Sequence, residues 1–323
     1  MKRILGLAVM ACFLAGTAPA TAAYPAKPVK IVVPFTPGGA TDAVARHLAR
    51  KLAERLGQPF IVENRPGAST IIGAQAVAEA APDGYTLMLS GSTTYTVLPA
   101  LKKNLPYSPL ASFAPLAIVA LAPVVLLAKN DLPAGNAAEL AALARQRSGQ
   151  AGLMYGTFGA GSAPHLAGEM FAQAAGAALS PVPYKGSAQL VTALIGGEID
   201  LGVDTVSSAA PHVKAGKVRA IAVTGSQRAG QLPDVPTFAE AGMPSVSLMG
   251  WYGLAAPAGT PAPVLSTLEQ AVAAIMQDAE IDAAFSAMAL QPVAWGPTAF
   301  RRQIGQELQV FGDIGARAAI SLD

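Results

Sequence analysis

The sequence predicts an α/β protein of two units, each a mostly parallel β-sheet flanked by helices. Its 323 residues suffice for two domains of ordinary size, each with its own core. Apolar residues make up 52% of the chain and charged residues 13%, a balance that suits buried parallel strands and excludes a disordered chain. Both halves of the chain alternate strand, loop, helix and strand, which favours parallel sheets.

Residues 1–22 have the pattern of a secretory signal peptide. Lys2 and Arg3 are followed by an apolar, uncharged run over residues 4–15 and by an A-x-A pattern at 20–22. These 12 apolar residues are too few to span a bilayer, which needs about 20. We therefore expect cleavage just after residue 22 and export to the periplasm. An uncleaved anchor and a lipoprotein attached through Cys12 are the alternatives.

Charge and cysteine content narrow the function classes. Loss of the signal peptide leaves 20 basic against 20 acidic side chains, so the mature chain is formally neutral. Neutrality excludes the broad basic surface that nucleic-acid binding requires. The single cysteine, Cys12, lies in the signal peptide. The mature chain therefore has no disulfide, thiolate metal site or cysteine nucleophile, and we expect no cofactor.

The first half of the mature chain opens with a strand, the loop 36–40 and a helix whose apolar residues recur every four positions until Gly57 ends it. The elements expected here are strands 29–35, 60–63 and 85–90 and helices 41–56 and 71–80. An almost wholly apolar run over 113–128 is interrupted by two prolines. This run predicts two buried strands that cross from one unit to the other.

The second half repeats the architecture without repeating the sequence. The elements expected here are helices 137–147, 163–175, 188–195, 263–278 and 297–316 and strands 152–155, 199–203, 218–223 and 251–255. A glycine-rich loop, 156–162, stands between a strand and a helix, as loop 36–40 does in the first half. Open parallel sheets bind ligands at the carboxyl ends of their strands, so both loops are candidate ligand contacts.

The first loop offers the features of an anion site. Gly38 and Gly39 allow close approach of the backbone, and the following helix presents free N–H groups and the positive end of its dipole. Thr41 can cap the helix or donate its hydroxyl to a carboxylate, and Asp42 suits the first helical turn. An ordinary, well-capped strand-to-helix loop explains the same residues equally well.

The second loop fits no nucleotide or hydrolase motif. No lysine follows its glycines, Pro164 replaces the third glycine of a dinucleotide fingerprint, and Ser162 lacks the nucleophile elbow. His165, in the first turn of the next helix, either contacts a ligand or seats the loop. The residues alone favour the interpretation that His165 holds the loop in place, because a lone histidine usually makes its hydrogen bonds within the protein.

Two more polar residues lie near the expected edge of the sheet. Lys185 follows a Val-Pro-Tyr turn and either donates charge to an anion or is a solvated surface lysine. Asp204 ends an apolar strand, where its carboxylate suits a ligand amino or hydroxyl group or caps the next helix. His47 and His212 show no metal-ligand spacing. The sequence contains no recognisable nucleophile–base pair or catalytic carboxylate pair, so we expect no enzymatic activity.

Eight segments carry a resemblance to a known family. They are KPVKIVVPFTPGGATD (27–42), LGQPFIVENRPGAS (56–69), APDGYTLML (81–89), GTFGAGSAPHLAGEMF (156–171), VPYKGSAQLVTALIGGEID (182–200), KAGKVRAIAVT (214–224), LPDVPTFAEAGMP (232–244) and WYGLAAPAGTP (251–261). Each is modestly specific, and they run in order across nearly the whole mature chain. In these segments the chain resembles the tripartite tricarboxylate transporter receptors, called TctC or Bug proteins.

The resemblance implies a type II periplasmic-binding-protein fold with a ligand cleft between two lobes. We expect lobe 1 to comprise residues 24–124 and 250–323 and lobe 2 residues 125–249, with the return to lobe 1 between 223 and 251. By matching motif, the ligand-contacting residues would be Pro37, Gly38, Gly39, Thr41, Asp42 and Ser92 from lobe 1 and Gly156, Thr157, Gly161, Ser162, His165, Lys185 and Asp204 from lobe 2.

The family also implies a function and partners. The protein would be a monomeric receptor that closes on a small carboxylate (a di- or tricarboxylate, acidic amino acid or aromatic acid) and delivers it to a tripartite membrane permease. Delivery to a sensor protein is an alternative, and a serine hydrolase using Ser162 and His165 a remote third. The chain departs from the family pattern at Thr36, Val203 and Thr205, and Thr157 replaces a common serine, so ligand identity is open.

Overall fold

The computed structural model describes residues 24–148, 152–318 and 320–322. The predicted signal peptide, residues 1–22, lies outside this part of the chain. Within the described residues, no helix combines the length and the apolar character needed to cross a membrane.

Lobe 1 begins with three parallel strands. Its first elements are β1 (Val29–Val33), α1 (Ala40–Leu56), β2 (Phe60–Asn64), α2 (Ile71–Ala78), β3 (Thr86–Gly91) and α3 (Leu98–Leu101). β1 lies between β2 and β3, with Ile31 opposite Val62 on one side and Leu87 on the other. α1 covers the sheet with a fully buried apolar stripe. Gly57 ends α1 in the left-handed conformation and donates its N–H to the Ala53 carbonyl.

Lobe 2 repeats the parallel arrangement. Its elements are α4 (Ala137–Arg147), β5 (Leu153–Thr157), α5 (Ala163–Ala175), β6 (Leu179–Pro183), α6 (Ser187–Ile195), β7 (Leu201–Thr205), α7 (Val206–Lys214) and β8 (Arg219–Val223). β5 lies between β6 and β7 and is parallel to both. α4 and α5 have the predicted bounds. β6 was not predicted, because it is a partly exposed edge strand without an apolar run.

The chain then returns to lobe 1 and ends there. The returning elements are β9 (Met249–Pro257), α8 (Ala262–Ile275), α9 (Ala279–Ala287), β10 (Gln291–Trp295) and α10 (Pro297–Arg317). The helix predicted over 263–278 ends early because Asp278 starts α9, where its carboxylate accepts the Glu280 N–H at 2.9 Å. α9 and β10 were not predicted.

One long strand joins the two lobes. β4 (Phe113–Ala128) is a single strand of 16 residues, so the expectation of two strands was wrong. Residues 113–123 pair with β9, and residues 124–128 pair with β7 and β8. The prolines do not break the strand, since a register shift follows Pro115 and Pro123 lies where β4 changes partners.

The pairing of β4 makes one ten-stranded sheet of the described strands and divides it between two lobes. The strand order is β2-β1-β3-β9-β4-β7-β5-β6, with β8 and β10 also paired to β4. This arrangement confirms the predicted two-lobed α/β fold. The predicted domain boundaries stay a prediction, and two observations bear on them: β4 changes partners after Pro123, and β9 begins at Met249.

Apolar contacts hold the lobes against each other at one side. Val97 directly precedes α3, and Leu101 is its last residue. Both lie in a buried apolar cluster with Phe311 and Ile314 of α10 and with core residues of lobe 2. The C-terminal part of α10 therefore packs on both lobes, although the helix belongs to lobe 1.

Candidate functional site

The carboxyl ends of both parallel sheets gather helix N-termini. In lobe 1, β1 and β2 end in loops that open α1 and α2, and β3 leads into a helical segment that continues as α3. In lobe 2, β5, β6 and β7 lead into α5, α6 and α7. Each edge therefore collects unpaired backbone N–H groups and the positive ends of helix dipoles, which suit an anion.

The loop after β1 leaves the N-terminus of α1 accessible. Pro37, Gly38 and Gly39 are exposed. Gly38 has φ +90°, a conformation that L side chains rarely adopt, and Gly39 occupies the N-cap position without a side chain to fill it. A Cβ atom added at either glycine would meet no atom within 4 Å. The space beside this loop is therefore open to a ligand.

Asp42 holds the loop after β1 in place through hydrogen bonds. Its buried carboxylate accepts the Gly38 N–H at 3.0 Å, the Arg46 guanidinium at 2.9 Å and the Asn64 amide at 3.0 Å. The hydrogen bond from Arg46 is the main cause that lowers the pKa of Asp42 to about 2. Asp42 is thus ionised but fully engaged inside lobe 1. Asp42 lies in the first turn of α1, as predicted, and its contacts with Arg46 and Asn64 were not predicted.

Thr41 is also engaged within lobe 1. Its side chain is buried, and its interaction with the hydroxyl of Tyr252 on β9 acts to lower the pKa of that phenol. Burial raises the pKa of Tyr252, so this phenol stays protonated at neutral pH. The contact ties the start of α1 to the strand that returns from lobe 2.

The loop after β5 is held by its own side chains. The Gly159 N–H donates to the buried Thr157 hydroxyl at 3.1 Å. Ser162 is the N-cap of α5 and accepts the His165 N–H at 3.3 Å. The Thr157 and Ser162 hydroxyls therefore shape the loop, while Gly159, with φ +100° and no atom within 4 Å of an added Cβ, borders open space.

His165 seats the same loop. Its buried imidazole accepts the Gly161 N–H through Nδ1 at 3.1 Å, which leaves the proton of the neutral ring on Nε2, 3.9 Å from Glu169. Burial lowers the pKa of His165, so the neutral form is favoured. These contacts are the ones expected if His165 holds the loop in place. Direct contact of His165 with a ligand is a proposal.

Two glycines of the segment 156–162 pack closely against other elements. A Cβ atom at Gly156 would lie 2.8 Å from side-chain atoms of Leu190 and Ile199, so this glycine lets α6 pack on the sheet. Gly161 has φ +73°, and its Cβ would lie 2.9 Å from Leu322 of the C-terminal segment. Neither contact was predicted from the sequence.

Asp204 is a buried acid beside the N-terminus of α6. Its carboxylate accepts hydrogen bonds from the Ser187 hydroxyl and from the Thr205 N–H, the latter at 2.6 Å. Desolvation nonetheless raises the pKa of Asp204. Lys185 is exposed, and its N–H donates to Gln189 at 3.2 Å. Asp204 and Lys185 therefore flank α6 at its start, with different solvent access.

A strained segment that the sequence analysis missed lies next to these loops. Ala68, Ser69 and Thr70, a 3₁₀ turn before α2, have φ of +46°, +53° and +89°. Ser92 follows β3 at the start of a π-helical turn over Thr93–Val97, where its carbonyl accepts the Thr96 hydroxyl at 2.8 Å. Strained backbone and π-turns concentrate at functional sites.

A cavity of about 470 Å³ lies where these segments meet the loop after β5. Its lining residues come from both lobes and from the C-terminal segment: Ala68, Ser69, Ile71, Thr93, Val97, Leu98, Lys102, Phe158, Ala160, Gly161, Ser162 and Leu322. Of the predicted site residues, the lining includes Gly161 and Ser162. The loop after β1, Lys185 and Asp204 are not part of it. The arrangement brings hydroxyls, backbone and apolar side chains together.

Metal chemistry has no support among the described residues. Over 24–148, 152–318 and 320–322, no group of three or more His, Cys, Asp or Glu side chains is placed to hold a metal ion.

Comparison with known proteins identifies the family. The model of the tripartite tricarboxylate transporter family receptors (TctC) matches residues 44–317. BugT of Bordetella pertussis is 37% identical over 308 residues, covering 94% of both chains. Among solved structures, an R. palustris protein with adipate is 33% identical, with a TM-score of 0.76 over 92% of this chain and 99% of that one.

A second R. palustris structure, MatC with bound malate, is 32% identical, with a TM-score of 0.72 over 90% of this chain and 99% of that one. Both relatives hold small dicarboxylates on the same two-lobed scaffold. The family match spans most of the described residues and begins just after the loop that follows β1. The chain belongs to the TctC/Bug family of periplasmic solute-binding receptors.

Proposed function

We propose that this protein captures a small dicarboxylate between its lobes and releases it to a membrane transporter. The observation that supports this most is the cavity lined from both lobes, which the glycine-rich loop after β5 and the start of α2 border. An anion there would receive backbone N–H groups from both lobes, so binding would favour a closed form of the protein.

The substrate class follows from size, charge and relatives. A cavity of about 470 Å³ lies in the range of small-molecule sites, about 300–1,000 Å³. Its apolar side chains suit a methylene chain, and the adjacent N–H groups suit carboxylates. The relatives that carry adipate and malate bind this class. Pro37, Gly38, Gly39, Thr41, Asp42 and Ser92 would form or support the lobe 1 contacts, and Gly156, Thr157, Gly161, Ser162, His165, Lys185 and Asp204 those of lobe 2.

The partner would be the permease of a tripartite tricarboxylate transporter, which the family description supports. The protein would act as a monomer in the periplasm after removal of residues 1–22. Delivery to a sensor protein uses the same ligand chemistry. Deletion of the gene distinguishes the two, since a transport receptor is required for uptake and a sensory receptor for the transcriptional response.

The contacts of Ser162 and His165 support a receptor over a hydrolase. The Ser162 hydroxyl accepts the backbone N–H of His165, and the imidazole Nδ1 accepts the Gly161 N–H. Neither bond joins the hydroxyl to the ring, which general-base activation of a serine requires.

Calorimetry on ligand-free protein tests the proposal. The protein is unfolded, dialysed and refolded, then titrated with adipate, malate and, as a neutral control of matched length, 1,6-hexanediol. We expect a dicarboxylate to bind and to raise the melting temperature, while the diol does neither. Binding of the diol as tightly as adipate, or no binding of any of a panel of C4 to C8 dicarboxylates, would contradict the proposed substrate class.

A further inference from the structure

A buried chain of hydroxyl groups connects β3 to the strained segment in lobe 1. The Thr94 hydroxyl donates to the Thr70 hydroxyl at 2.8 Å and lies 2.6 Å from the Ser90 hydroxyl. Thr94 has only one hydroxyl proton, so Ser90 must be the donor in the second bond. Ser90 and Thr94 are fully buried and Thr70 is 3% exposed.

The chain holds a conformation that the backbone disfavours. Thr70 has φ +89°, and a β-branched residue at positive φ is a genuine outlier. The two residues before it also have positive φ without being glycine. Such a run persists only where surrounding contacts over-determine it. The contacts present are the bond from Thr94 and the backbone bond from the Thr70 N–H to the Gly67 carbonyl at 3.0 Å.

The hydrogen bond with Thr94 keeps the Thr70 side chain from capping α2 in the usual way. Thr70 occupies the N-cap position of α2, where a threonine normally adopts an extended conformation and its side chain accepts a helix N–H. Here its hydroxyl makes no capping bond and faces Thr94. The amides at the start of α2 consequently lack a side-chain partner on the side of the cavity that Ser69 and Ile71 line.

Thr94 also positions the second lobe 1 segment that lines the cavity, residues 93–98. It lies in the π-helical turn directly after Thr93, which lines the cavity, and its carbonyl accepts the Tyr107 hydroxyl at 2.8 Å. One buried threonine therefore fixes both the segment 68–71 and the segment 93–98 relative to β3. We propose that Thr94 is a positioning residue for ligand binding, which through the Ser90–Thr94–Thr70 chain presents Ser69 and the start of α2, which no side chain caps, to the ligand.

The inference rests on the proposed carboxylate site and has two tests. In Thr94→Val the shape is kept and the hydroxyl lost, so Thr70 can relax toward the extended capping conformation. We expect affinity for adipate or malate, whichever the wild type binds, to fall about tenfold. Thr94→Ser restores the donor and should restore affinity. Thr260→Val removes a comparably buried hydroxyl bond, to the Pro257 carbonyl at 2.8 Å, and should leave affinity unchanged.

Hydrogen exchange provides the ligand-free test. We expect Thr94→Val to speed exchange of the Thr70 and Ile72 amides, both of which point to the Gly67 carbonyl, but not of amides in lobe 2. Unchanged exchange there, or equal affinity loss in Thr94→Val and Thr260→Val, would overturn the inference. If the wild type binds no dicarboxylate, the proposed function fails. The exchange result still decides whether the Ser90–Thr94–Thr70 hydroxyls hold residues 68–70 in place. Thr94→Ser covers the case in which the valine variant does not fold.

Discussion

Replacing Asp42 with asparagine tests whether an ionised carboxylate holds the loop after β1. The carboxylate is 4% exposed and accepts three hydrogen bonds, and its pKa falls from 3.8 to about 2 in the folded protein. A shift of this size corresponds to about 2 kcal/mol of folding free energy. The Arg46 side chain is 56% exposed, so solvent screening reduces this to about 1–2 kcal/mol.

The sign of the pH dependence follows from the direction of the shift. Because the folded pKa of Asp42 is lowered, its contribution is complete above the unfolded pKa of 3.8 and is lost as pH falls through about 2. We expect Asp42→Asn to lower the free energy of unfolding by about 1–2 kcal/mol at pH 7. The difference between wild type and variant should shrink steadily between pH 4 and pH 2.

Urea titrations at each pH, read by circular dichroism, measure this difference. Asp313→Asn, which removes an exposed carboxylate on α10, controls for the general effect of charge. A difference for Asp42→Asn that stays the same from pH 7 to pH 2 would refute the electrostatic reasoning. It would leave hydrogen-bond geometry alone as the cause.

Three further predictions concern lobe 2. Gly156→Ala should destabilise by about 1–3 kcal/mol in urea, because its Cβ would lie 2.8 Å from Leu190. Gly161→Ala should cost about 1–2 kcal/mol, because φ is +73° and the Cβ would lie 2.9 Å from Leu322. Burial lowers the pKa of His165, so the unfolded chain takes up the proton first. The stability of the wild type relative to His165→Gln should therefore fall as pH drops below 6.5, measured by the same titrations.

Each of these has a matched control. Gly176→Ala at the end of α5 has φ +62° and no atom within 4 Å of the added Cβ, so it isolates backbone strain from the Leu322 contact. A cost for Gly161→Ala no larger than that of Gly176→Ala would remove the contact from the explanation. For the histidine, His47→Gln is the control. An identical pH profile for His165→Gln and the wild type would mean that the imidazole does not titrate differently on folding.

The sequence predicted best those elements whose signals are local. α4 and α5 have the predicted bounds because Asn136 and Ser162 cap them through side-chain bonds and Gly176 ends the second. Elements defined by distant partners were predicted poorly. β6 is an edge strand without an apolar pattern, and β4 is continuous because a change of partner accommodates its prolines.

The same distinction applies to the site. The glycine loops were found because glycine at a strand-to-helix junction is a local signal. The strained segment Ala68–Thr70 was missed because an Ala-Ser-Thr sequence gives no indication of positive φ, which here depends on Thr94, far along the chain. The close packing of Gly156 against Leu190 and Ile199 was not predicted, because this contact is tertiary and leaves no signal in the sequence.

The acidic side chains and the histidine at the two edges are satisfied from within, and this bears on how an anion can be held. Asp42 is satisfied by Arg46, Asp204 is buried against Ser187 and Thr205, and burial favours the neutral form of His165. Residues 23–323 carry as many basic as acidic side chains, so their net charge adds no long-range attraction. The proposed grip therefore depends on short-range dipoles from backbone N–H groups and hydroxyls, together with Lys102 in the cavity lining and the exposed Lys185. In the proposed function, such contacts would form at full strength only when both lobes close on the ligand, which would couple recognition of the carboxylate to the closed shape that the proposed transporter binds.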